Sequence, residues 1–162
     1  MTNIEEVFDR CPRLRDSEHC VTSKPTDAYN CVAWVQRDLD HRWDPDYHWP
    51  ADLPCPDGQP DLDCYLELFG RWDFEECADG SYEPGLLKIA IYSEGGYFHH
   101  VAKQLRINAW SSKMGMAHDL WHRELDALYE TLYYPGATVT HFMQRPDLAE
   151  SMELEETGLI QI

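Results

Sequence analysis

The chain predicts an α+β fold, on three observations. Apolar residues recur at helical spacing in its first half, strand-like runs take over from about residue 86, and the first two of those runs are joined through Gly95-Gly96. Helices first and a meander of strands after them imply N-terminal helices packed on an antiparallel sheet of about four strands.

The elements follow in order. Ile4-Glu5-Glu6-Val7-Phe8 suits one or two helical turns, stopped at Cys11-Pro12. Residues 21–27 hold Ser23, Pro25 and Thr26, a turn-rich approach to a helix that Asp27 or Asn30 could cap. From Cys31, residues Val32, Val35 and Leu39 give that helix its apolar face, and it is expected to end before Pro45. Residues 43–60 contain five prolines, too many for a regular element, so a long ordered loop is expected there. Leu62, Tyr65, Leu66 and Phe69 mark a second helix over 61–72. Strands are expected at 86–92, 97–105 and 109–114, a helix at 119–129, and a fourth strand at 138–143 that closes the sheet. Leu148, Met152 and Leu154 suggest a short terminal helix.

With 162 residues the chain fits one domain, 1–162, with its core over 21–145 and short extensions at either end. Lys and Arg number 13 against 30 Asp and Glu, a formal charge of -17, which repels phosphate backbones and makes nucleic acid and anionic membrane poor partners. The acids are scattered, and only residues 150–156 approach a block, so solubility accounts for them more readily than capture of a basic protein. The N-terminus lacks a basic start and an apolar stretch, and no segment reaches the ~18 apolar residues of a membrane span. A cytoplasmic protein is expected, its six cysteines reduced. No C-x-x-C occurs, and neither a metal site nor a cofactor is expected.

Cys31 opens a helix, where unpaired N–H groups and the helix dipole favour thiolate and can hold an oxyanion. Far downstream, His99-His100 lies within a strand, so one imidazole could face the thiol and act as its base. Strand alternation places the two on opposite faces. If Phe98, His100 and Ala102 face the helix, His100 is the base; a one-residue slip exchanges the roles. A lone cysteine on a helix is more commonly a small apolar filler.

Local sequence shifts that balance. Residues 21–34 (VTSKPTDAYNCVAW), 88–92 (KIAIY), 100–105 (HVAKQL), 110–115 (WSSKMG) and 119–122 (DLWH) resemble, in order, one bacterial family of unknown function, whose members read VTSxPTxxYNCIAWA, EKIALY, HAARQL, WTSKLG and DIxH. The likeness spans roughly residues 21–145. That family in turn resembles papain-like cysteine hydrolases of the NlpC type, which have a cysteine at a helix start, a histidine on the second strand and a polar third residue on the next.

Carried over by motif, the resemblance implies a papain-like fold and the pair Cys31 and His100, acting on a peptide or other amide-containing substrate. It implies Ser112 or Asp119, level with each other, as the group orienting the imidazole, with His122 third. Each also has a plain reading: Ser112 and Asp119 as helix caps, His122 as a helix-surface residue. Asn30 could lend its amide to an oxyanion, although a residue before a helix needs no such duty. Lys113 could meet a substrate carboxylate, with a surface acid its more ordinary partner. Trp43 and Trp49 could wall a substrate groove or plug a long loop. Here the chain reads Arg42-Trp43-Asp44-Pro45 where family members often read RWWWP. The competing expectation is a catalytically silent acidic protein of the same fold that binds a basic partner.

Overall fold

The central hairpin of the sheet grows from two strand-like runs joined through a pair of glycines. Strands β3 (Leu86–Glu94) and β4 (Tyr97–Gln104) are joined by Gly95 and Gly96, whose φ angles of 61° and 85° are open to glycine without strain. The computed structural model describes residues 3–55, 59–106 and 108–147. The chain enters through helices α1 (Ile4–Arg10) and α2 (Pro12–Arg15), separated at Cys11, then strand β1 (His19–Val21) and the single-turn helix α3 (Cys31–Val35). Helix α4 (Leu62–Arg71) and strand β2 (Glu75–Cys77) precede the β3–β4 hairpin. Strands β5 (Trp110–Lys113), β6 (Asp119–His122) and β7 (Thr138–Pro146) follow, with a 3-10 turn over Leu125–Leu128 between the last two.

All seven strands join one sheet in the order β1-β6-β5-β4-β3-β7-β2, each neighbouring pair antiparallel. This overturns the expected papain-like arrangement of helices on about four strands: the molecule is mainly a seven-stranded antiparallel sheet with a few short helices. The extra strands have physical explanations. β1 and β2 have three residues each, too few to show a period. The expected helix over 119–129 is strand β6 at its start, and only the 3-10 turn further on is helical. Asp119-Leu120-Trp121-His122 is buried on both sides, so its apolar residues form no single helical stripe. β7 does not close the sheet but lies between β3 and β2.

Helix α3 is likewise shorter than its spacing suggests. The Asn30 side chain caps it by accepting from the Ala33 N–H at 3.0 Å, but Arg37 turns to φ 58°, which ends the helix and leaves Leu39 exposed. Helix α4 matches its pattern. The Asp61 carboxylate caps it, and Tyr65 and Phe69 are buried against β4 and its neighbours. The terminal helix expected after Pro146 falls outside the described residues.

Apolar packing covers both faces of the sheet. On one, Val32 and Val35 of α3 and Tyr65 and Phe69 of α4 pack on Ile89, Ile91 and Val101. On the other, Val7 of α1, Leu14 of α2, Leu128 and Tyr134 pack on Ala90, Tyr92 and Ala102. A β-bulge decides which face the key imidazole joins. Ser93 pairs with Phe98 and Tyr92 with His100, leaving His99 as the extra residue. Phe98 therefore sides with Val101 towards the helices, while His100 sides with Ala102 and Tyr92. The expectation that Phe98, His100 and Ala102 share the helix-facing side is corrected by that one inserted residue.

Candidate functional site

A cleft of about 290 Å³ opens where the two faces meet, and Cys31 and His100 both line it. The gap has a simple origin. The β4–β5 ladder consists of Lys103↔Ser111 and Gln104↔Trp110, and two residues further back along β4 the Val101 N–H is met by the Cys31 sulfur. The thiol thus arrives from the helical face and the imidazole from the opposite one, at the same notch in the sheet. Asn30, Asp44, Tyr65, His99 and Tyr134 are among the other groups around it.

His100 is only 2% exposed and heads a hydrogen-bonded chain. Its Nε2 lies 3.0 Å from Ser112 Oγ, Ser112 Oγ lies 2.8 Å from His122 Nε2, and His122 Nδ1 lies 2.9 Å from the Glu124 carbonyl oxygen. A carbonyl can only accept, so His122 carries its proton on Nδ1. Burial lowers the His122 pKa to about 4, so the ring is neutral and Nε2 accepts the single Ser112 hydroxyl proton. Ser112 must then accept from His100, whose proton sits on Nε2. Burial, reinforced by the neighbouring His122, lowers the His100 pKa to about 3. The ring is therefore a neutral imidazole with Nδ1 unprotonated, the form of a general base. Tyr134 stacks on it with centroids 5.6 Å apart and planes 11° from parallel.

The thiol departs from the helix-dipole expectation. Burial pushes Cys31 up to about 11, against the opposing pull of the Val101 N–H, the Lys113 ammonium and the N–H groups of Val32 and Cys31 itself. A five-residue helix offers too little dipole to win. At neutral pH the resting pair is thiol and imidazole, with no ion pair. The Ala33 N–H is spent on the cap and the Trp34 N–H on the Asn30 carbonyl, whereas those of Cys31 and Val32 face the sulfur.

The remaining candidates are placed as follows. Asp119 is on the face opposite His100, its carboxylate accepting from the Tyr29 hydroxyl at 2.6 Å and its N–H donating to Ser23 Oγ at 2.9 Å. Burial raises its pKa. Lys113 is no surface residue: it is fully buried and donates to the carbonyls of Thr26, Gly115 and Ala117 at 2.7, 2.7 and 2.6 Å. Burial lowers its pKa to about 8. Asn30 is occupied in structure, accepting from the N–H groups of Ala33 and Trp43 and donating to the Trp43 carbonyl. Trp43 and Trp49 pack into the layer beside α4, against Trp72 and Tyr65, with indole N–H groups bonded to Asp38 and to the Leu53 carbonyl. The loop instead brings Asp44 to the cleft. His99, expected to point outward, lines the cleft because of the bulge.

Reading the sequence alone misses Tyr134. It lies in an irregular segment, Leu132-Tyr133-Tyr134-Pro135, that carries no periodic signal. Among the described residues no three His, Cys, Asp or Glu side chains converge as a metal site requires, and no helix is long and apolar enough to cross a membrane. No curated protein and no solved structure matches the chain, so the likeness to papain-like hydrolases finds no counterpart there. A family model described as a domain of unknown function, DUF7689, matches residues 20–143, and the chain belongs to that family.

Proposed function

We propose that the chain is a cytoplasmic cysteine hydrolase or amidotransferase that opens an amide or ester bond in a peptide or related substrate. The observation that carries this reading is the tautomer chain: the Glu124 carbonyl, through His122 and Ser112, leaves His100 Nδ1 unprotonated, and His100 and Cys31 line one cleft. Because both groups are neutral at rest, the thiol proton passes to Nδ1 as the sulfur attacks the substrate carbonyl. The imidazolium formed is held by Ser112, which can accept from Nε2 throughout. The N–H groups of Cys31 and Val32, which meet the sulfur at rest, are the donors this reading assigns to the developing oxyanion. Nδ1 then returns its proton to the leaving amine or alcohol, and a thioester stays on Cys31. Water, or an acceptor amine in an amidotransferase, takes the acyl group off with His100 again acting as base.

A second reading is a catalytically silent protein that binds a basic partner through its acidic surface. The charge of -17 favours it, as does the high thiol pKa. Simple alkylation separates the two poorly, because a protonated thiol labels slowly in both. A 4-nitrophenyl ester is the sharper probe, since it needs base, sulfur and oxyanion donors together. The hydrolase reading expects acylation of Cys31 ahead of the other five cysteines, detected by mass spectrometry, and a loss of ~10²–10⁴-fold in rate on His100→Ala. His99→Ala should cost far less. Acylation spread evenly over the cysteines, or unchanged by His100→Ala, leaves the binding reading in possession.

A further inference from the structure

Two of the cysteines face each other. Cys64, in the first turn of α4, sends its sulfur to within 3.5 Å of the Pro54 carbonyl, which places it beside the next residue, Cys55. The two segments are fastened together next to this contact. Arg71 at the far end of α4 binds the Asp52 carboxylate at 2.9 Å, Leu53 is buried against the α4 layer, and the Trp49 indole donates to the Leu53 carbonyl at 2.7 Å. The two cysteines are thus held close to each other by the packing of their segments. Other thiols are committed elsewhere: Cys20 and Cys77 to carbonyls, Cys31 to the Val101 N–H. Cys55 is partly exposed, so a small oxidant can reach the pair, while Cys64 behind it is buried.

We propose that Cys55 and Cys64 form a reversible oxidation site, closing to an intramolecular disulfide under hydrogen peroxide and fastening the proline-rich segment to α4. One thiol, as thiolate, attacks the O–O bond and becomes a sulfenic acid while the first water leaves. The second thiol attacks the sulfenic sulfur, forms the S–S bond and releases the second water. Two electrons and two protons pass from the thiols to the peroxide, and a dithiol reductant reverses the change. Burial, then the Cys64 contact and the nearby Asp61 and Asp44 charges, push Cys55 up to about 12, which makes the site slow to respond to mild oxidant. The bridge would stiffen the wall of the cleft, since Tyr65 is the next residue of α4 and lines it. Neither Cys31 nor His100 takes part, so the site stands apart from the reaction proposed above.

The sequence makes the test direct. No Lys or Arg lies between Arg42 and Arg71, so trypsin leaves both thiols in one peptide, residues 43–71. The folded chain and its Cys31→Ser variant are treated with hydrogen peroxide, blocked with iodoacetamide and digested. The expected result in both is an unalkylated 43–71 peptide lighter by two hydrogens, the loss of two of the six thiols in the unsubstituted chain, and full recovery of both labels after dithiothreitol. Cys55→Ser or Cys64→Ser should abolish the light peptide. Two alkylated cysteines in that peptide, bridges to other cysteines, or irreversible sulfinic acid at either position would overturn the proposal.

Discussion

Two buried polar networks hang from the same β5–β6 hairpin, one on each face. Ser112 and His122 point to the α1–α2 side and join His100; Lys113 and Asp119, register partners, point to the α3 side with Tyr29. The first network is neutral and ends in a ring nitrogen at the cleft. The second is built on charged groups, with the ammonium saturated by three carbonyls and the carboxylate held by a phenol. Burial cost is met differently in the two: by neutralising the titratable groups in one, by filling the donors of Lys113 in the other. The difference separates a network that can move a proton from one that fixes a loop to a strand.

The contrast is most severely tested on the saturated side. Lys113→Met leaves three carbonyls without their donor and Asp119 without its nearby cation, and should cost roughly 3–5 kcal/mol of unfolding free energy in urea. A loss under ~1 kcal/mol would mean that water replaces the ammonium and the network is not structural. The neutral side should show itself in acid. His100 and His122 have folded-state pKa values of about 3 and about 4 against an ordinary 6.5, so the unfolded chain binds more protons between those limits. Their contribution is complete above pH ~6.5 and is lost as pH falls towards 4 and 3, on the order of several kcal/mol in all. Urea midpoints measured across that range should fall with acid, and the slope should shallow in His100→Asn. A flat profile would mean that the rings are not buried neutral. Ser112→Ala breaks the chain in the middle and should cost ~1–3 kcal/mol, with Ser112→Thr restoring most of it. Equal behaviour of the two variants would assign Ser112 to packing alone.

How much of this was legible in the sequence depends on element length and on register. The β3–β4 hairpin and α4 show many periods and a clear turn or cap, and both form where the pattern places them. β1, β2 and β6 have three or four residues, and their positions are set by partners far along the chain. Misreading β6 as a helix also blurred the site. With Asp119, Ser112 and His122 as rivals on chemistry alone, only the strand register sorts them: His122 lies opposite Trp110 on the His100 side, and Asp119 lies opposite Lys113 on the other. The bulge at His99 left no mark in the sequence, because it arises from pairing with Tyr92 and Ser93. The thiol pKa was likewise out of reach, since a cap and a helix start are visible in sequence but the burial that outweighs them is not.

The proton on His100 decides whether the ring can act as a base, and nitrogen-15 NMR of the histidine rings reads its position. The wired chain predicts that His100 is neutral at pH 6 with its proton on Nε2, and that Ser112→Ala releases it to a mixture of tautomers. A ring protonated on Nδ1, or an imidazolium at that pH, would contradict the base assignment and the reaction built on it.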